Sequence, residues 1–67
     1  MTKLIEFEDY NLMTKTTIIR VINIEQIVEV VDLVSPDIKP LTRIKLTNKE
    51  CIDVRKSVAD IIKIVNG

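Results

Sequence analysis

Residues 41–65 read LTRIKLTNKECIDVRKSVADIIKIV, and within twenty-five residues their hydrophobic period changes once, from that of a strand to that of a helix. In LTRIKLT, residues 41–47, Ile44 and Leu46 point one way and Arg43 and Lys45 the other, the period-two pattern of a half-buried strand. ECIDV then places Ile52 and Val54 together, so the two runs read as a hairpin. With Asn48, Lys49 and Glu50 as a three-residue loop, Thr47 faces Cys51, Leu46 faces Ile52, Lys45 faces Asp53 and Ile44 faces Val54. A two-residue loop would instead oppose Lys45 with Ile52 and Ile44 with Asp53, so matching of character favours the longer loop. From Ser57 the period becomes helical, with Val58, Ile61, Ile62 and Val65 forming one stripe. Ser57 is the N-cap, Asp60 supplies a carboxylate to the positive helix end, and Asn66 and Gly67 end the helix.

Upstream, KLIEF (residues 3–7) reads as a short first strand and EDYNLMTK as a polar connection. TTIIRVINI (residues 16–24) is the strongest strand signal, with Ile18, Ile22 and Ile24 on one face and Ile19 and Val21 on the other. Asn23 to Gln26 reads as a tight turn, in which the Asn23 side chain holds backbone amides. IVEVVDLV resumes as a strand, with Ile27, Val31 and Leu33 on one face and Val28, Val30 and Val34 on the other. SPDIKP, with its two prolines, is a loop. The expected fold class is therefore α+β, a small antiparallel sheet of about five strands with one C-terminal helix, in a single domain covering residues 1–67.

A chain of this length buries only about 60% of the surface its unfolded form exposes, so its stability needs a supplement. Disulfides cannot supply it, because Cys51 is the only cysteine, and without histidine or a second thiol no metal or cofactor site is expected. Apolar residues make up 46% of the chain, almost all of them Ile, Val and Leu, and the strands carry them on both faces. One helix covers one face of a sheet, so the other is expected to meet a second subunit, making the chain a homo-oligomer.

Ten basic and ten acidic residues cancel, and only Phe7 and Tyr10 are aromatic, which argues against a nucleic acid partner. No apolar run approaches the roughly 18 residues of a membrane span, and MTKLIEF lacks the pattern of a signal peptide, so the expected compartment is the cytoplasm.

The polar residues of the hairpin and helix start have structural posts, which leaves little for catalysis. A cysteine nucleophile needs a base that the chain lacks, and Cys51 reads as a small core or interface residue. Asp53 is expected to pair with Lys45, Asp60 is explained by the cap, and the only glycine is the last residue, so no phosphate-cradling loop exists. The candidate ligand-binding residues are basic: Arg20, Arg43, Lys45, Arg55 and Lys56. Arg20 interrupts an apolar strand and is expected to meet Glu29, Asp32 or an anionic ligand. These residues point to a non-catalytic, homo-oligomeric β-rich module that binds and sequesters a small anion, such as a signalling nucleotide, at a subunit interface. Phage proteins that sequester such nucleotides are similar in size, although no motif is shared with them.

INIEQIVEV followed by TRIKLTNKECIDVRKSVADIIKIV resembles the FlbD-type family of small flagellar proteins, which run as an Asn-led turn, a strand, a hairpin and a Val-x-x-Ser helix start. Lys49 departs from that pattern, since the family's turn would carry glycine, and EDYNLMTKTT is a longer connection. The resemblance implies an alternative role, a non-enzymatic motility accessory acting through protein partners, and brings no catalytic residues. A small enzyme is the least favoured reading.

Overall fold

A computed structural model describes residues 3–34 and 37–67. The elements run β1 (Leu4–Asn11), β2 (Thr16–Asn23), a short 3-10 turn (Ile24–Gln26), β3 (Ile27–Asp32), β4 (Thr42–Leu46), β5 (Cys51–Val54) and α1 (Val58–Asn66). The chain is α+β as its sequence indicates, but the five strands form two antiparallel sheets in place of one: β1–β2, and β3–β4–β5. Part of the expected SPDIKP loop, Ser35 and Pro36, lies outside the described residues. No helix among the described residues is long and apolar enough to cross a membrane.

The first strand is longer than KLIEF. Glu8, Asp9, Tyr10 and Asn11, read from sequence as connection, continue β1 opposite Ile19, Ile18, Thr17 and Thr16. A long β2 supplies backbone partners whatever the polarity of the opposing side chains, and the ladder runs on until Asn11 turns the chain. There the Asn11 side chain accepts from the N–H groups of Met13 (2.9 Å) and Thr14 (3.2 Å), and the Asn11 carbonyl accepts from Lys15 N–H at 2.8 Å.

At the second hairpin the loop has the expected length but sits one residue earlier. Leu46 N–H donates to the Glu50 carbonyl (2.9 Å), and Lys45 faces Cys51, Ile44 faces Ile52, Arg43 faces Asp53 and Thr42 faces Val54. The slip relative to the expected pairing is an even number of residues, so no side chain changes face. Ile44, Leu46, Ile52 and Val54 all remain buried. One local bond and one backbone conformation accompany this turn: Asn48 Oδ1 accepts from Glu50 N–H (3.0 Å), and Lys49 enters the left-handed region at φ 68°. A lysine there carries a backbone cost that glycine escapes. Lys49→Gly is therefore expected to stabilise the chain by about 0.5–1 kcal/mol, checked by urea unfolding with an unchanged slope.

β3 departs from strict alternation. Ile27 lies opposite Leu46 and Glu29 opposite Lys45, leaving Val28 as an extra residue in a bulge. The bulge resets the parity, so Ile27 and Val30 both pack against the core while Val28 stays exposed. Sequence parity had placed Ile27 and Val30 on opposite faces.

The core gathers Ile5 and Phe7 of β1, Ile22 of β2, Ile44 and Leu46 of β4, Ile52 and Val54 of β5, and Ile61 of α1. Ser57 caps the helix, its Oγ accepting from Asp60 N–H at 3.1 Å, and the Gly67 N–H closes it on the Lys63 carbonyl at 2.8 Å. The buried stripe is centred on Ile61, with Ile64 and Val65 beside it. At about 100° per residue Ile62 lies about 100° from Ile61, at the edge of the stripe, and it is 49% exposed. The expected stripe is thus rotated, with Ile64 taking the place assigned to Ile62.

Candidate functional site

Asp9 connects the two sheets. Its Oδ1 accepts from the Asp53 backbone N–H at 3.3 Å, and its Oδ2 lies 3.5 Å from Arg20 Nη1. Arg20 continues to Glu50, Nη2 donating to Oε2 at 3.1 Å, and Asn48 Nδ2 donates to the same oxygen at 3.0 Å. Arg20 therefore has protein partners, as its half-buried position demands. They are Asp9 and Glu50, in place of the expected Glu29 or Asp32, because Arg20 points to the side where β1 meets the β4–β5 hairpin. On the neighbouring pair, Arg43 Nε donates to Asp53 Oδ1 at 3.0 Å, while Lys45 Nζ lies 3.1 Å from Glu29 Oε1. The expected Lys45–Asp53 pair is thus replaced by two others, a direct consequence of the hairpin register.

Hydrogen bonds from Arg20 and then Asn48 hold the Glu50 carboxyl below its ordinary pKa of 4.5, and the Asp53 hydrogen bond keeps Arg43 still more firmly protonated. A carboxylate with a lowered pKa in the folded chain adds stability above its unfolded pKa and loses it as pH falls through the folded value. Glu50→Gln is expected to unfold at a lower temperature than the parent at neutral pH, with the difference closing in acid. A pH series of thermal melts checks this, and a constant difference would contradict it.

The second half of β1, the following turn and the outward side of β4 and β5 enclose an open cleft of about 520 Å³. Asp9, Tyr10, Ile18, Arg43, Cys51 and Asp53 line much of it. Cys51 is exposed there, which corrects the core alternative in its reading as a core or interface residue. Among the described residues, no group of three or more histidine, cysteine or carboxylate side chains is placed to hold a metal ion.

Four of the five basic candidates have protein partners for their side chains. Arg20, Arg43 and Lys45 are each answered by carboxylates. Arg55 lies over the Tyr10 ring, 5.0 Å from its centroid, a contact worth about 0.5–1 kcal/mol when exposed. Lys56 is exposed and uses its carbonyl to accept from Thr42 Oγ1 at 2.6 Å. Within the cleft two carboxylates, Asp9 and Asp53, stand against Arg43, so its field does not favour an anion.

The outer face of the β1–β2 hairpin is a second candidate surface. Cross-strand register puts Leu4, Glu6 and Glu8 on one face with Asn23, Val21 and Ile19. Leu4 and Ile19 are 64% exposed and Val21 62%. Sequence reasoning marked Ile19 and Val21 as needing cover; Leu4 was missed because a strand of residues 3–7 has too few positions to define its faces. No protein-family model, curated protein or solved structure matches this chain.

Proposed function

We propose that this chain is a non-catalytic, self-associating binding module whose copies meet through the β1–β2 hairpin. The observation that carries this reading is the exposure of Leu4, Ile19 and Val21 together on one sheet face, while the helix packs on the core side. Burial is worth about 25 cal/mol per Å² of apolar surface, and a chain this small gains proportionally more from it than a larger one. The partnered state of Asp53 and the absence of histidine support a binding role over a catalytic one. A small anion would draw on Arg55 and Lys56, which have no carboxylate partner among the described residues.

Native mass spectrometry of gently purified chain tests both parts. The expected spectrum holds multiples of 7.7 kDa, with any retained ligand visible as added mass. Single-chain mass alone would overturn self-association. It would also turn attention to the motility accessory role implied by the family resemblance, in which the same apolar face takes a different chain.

A further inference from the structure

The hairpin's hydrogen-bond pattern says which backbone groups of β2 are free. Ile24 N–H donates to the Lys3 carbonyl at 3.0 Å, in the same register that pairs Leu4 with Asn23. Bonded and non-bonded pairs alternate along an antiparallel ladder, so Ile22, Arg20, Ile18 and Thr16 direct their N–H and C=O groups towards β1. Thr17, Ile19 and Val21 direct theirs the other way, to an edge on which no further strand lies among the described residues. The groups left open belong to the residues whose side chains form the exposed apolar face.

This edge carries none of the usual defences. Natural edge strands are blunted by prolines, lysines, bulges or shortness. β2 is eight residues long, unbroken in register, and free of proline and lysine. Its single charged residue, Arg20, turns to the opposite face and is held by Asp9 and Glu50. The contrast with β3 is instructive, since that strand has the bulge at Val28 and the acidic residues Glu29 and Asp32.

Resting on the self-association reading, we propose that β2 pairs antiparallel with β2 of a second copy about a two-fold axis through Ile19, joining two hairpins into one four-stranded sheet. Charge excludes the neighbouring register. With Ile19 opposite its own counterpart, Val21 faces Thr17 and Arg20 faces Ile18, and every bonded pair joins open groups to open groups. Sliding the centre to Arg20 would place two guanidinium groups directly opposite each other, which is destabilising. The chosen register also collects Ile19 and Val21 of both copies in the middle of the new sheet, with Glu6 and Glu8 of each copy kept to its flanks. A standard interface takes about 800 Å² from each partner, roughly one sixth of the 4838 Å² that this chain exposes.

Residue-resolved amide hydrogen exchange on the unaltered chain, paired with sedimentation at the same concentration, tests the proposal. The expected result is an associated chain in which the Thr17, Ile19 and Val21 amides are protected comparably to Ile18, Arg20 and Ile22. An associated chain with those three amides exchanging freely would overturn the β2 ladder and leave self-association standing. A monomer with free amides would overturn both. Ile19→Pro adds a second readout: it removes only an outward N–H, which an edge strand tolerates, so the β1 ladder survives while dimerisation is lost. If that variant does not fold, exchange on the unaltered chain decides.

Discussion

Ile61→Ala is expected to leave the chain largely unfolded at physiological temperature. Ile61 is fully buried and the helix makes its central contact with the sheets through it, together with Ile64 and Val65. Truncating a buried isoleucine to alanine costs about 2–5 kcal/mol, and a core of this size rarely supplies more than about 3–5 kcal/mol in total. The melting temperature should fall by more than 10 °C, since each kcal/mol shifts a domain of this length by about 4–8 °C. Ile62→Ala is the control. Although Ile62 belongs to the stripe read from sequence, it is half exposed, and its truncation should cost less than about 1 kcal/mol. Thermal melts of the two variants, followed by circular dichroism, check the pair; equal effects would mean that the helix packs in a different phase.

The second large effect falls on association and spares the fold. Ile19→Lys is expected to weaken dimerisation more than a hundredfold, about 2.7 kcal/mol, because it removes apolar contact from both copies and sets two ammonium groups facing each other on the two-fold axis. Within one chain the same change is benign. Ile19 is exposed and lies directly opposite Glu8, so a lysine there gains a cross-strand carboxylate. The melting temperature measured at low chain concentration should hold or rise slightly as association is lost. A variant that unfolds and dissociates together would show instead that Ile19 supports the monomer.

The contrast between these residues explains what was legible in the sequence. From Leu41 to Val65 the pattern is strict: charged and apolar side chains alternate in β4, and Ser57 announces the helix. There the burial of Ile44, Leu46, Ile52, Val54 and Ile61 followed from spacing alone, and the even slip in register at the turn left it intact. Upstream the signal is ambiguous for a physical reason. In IVEVVDLV both parities are apolar, so a bulge at Val28 changes which residues face inward without leaving any mark on the pattern. In β1, Asp9 is a polar residue in a strand because Arg20 and the Asp53 amide hold it there, and those groups are distant in sequence.

The candidate site divides in the same way. That Ile19 and Val21 share a face was readable from alternation, and so was the need of Arg20 for a partner. Which carboxylates answer Arg20, Arg43 and Lys45 was not, because each pair depends on register or on the approach of the two sheets. Once those pairs are in place, Arg20, Arg43 and Lys45 of the basic cluster suggested by sequence are each matched by carboxylates. Surface pairs of this kind contribute about 0–1 kcal/mol each, so they do more to fix geometry than to stabilise the chain. The weight of the functional reading accordingly moves to the apolar hairpin and its open edge.

Sedimentation equilibrium of the unaltered chain beside Ile19→Lys, over a wide range of concentration, decides whether two copies join through the hairpin. The parent is expected to move from 7.7 kDa towards an even multiple of that mass as concentration rises, while the variant stays at the single-chain mass throughout. A parent that remains monomeric at every concentration, or a variant that associates as tightly as the parent, would contradict it.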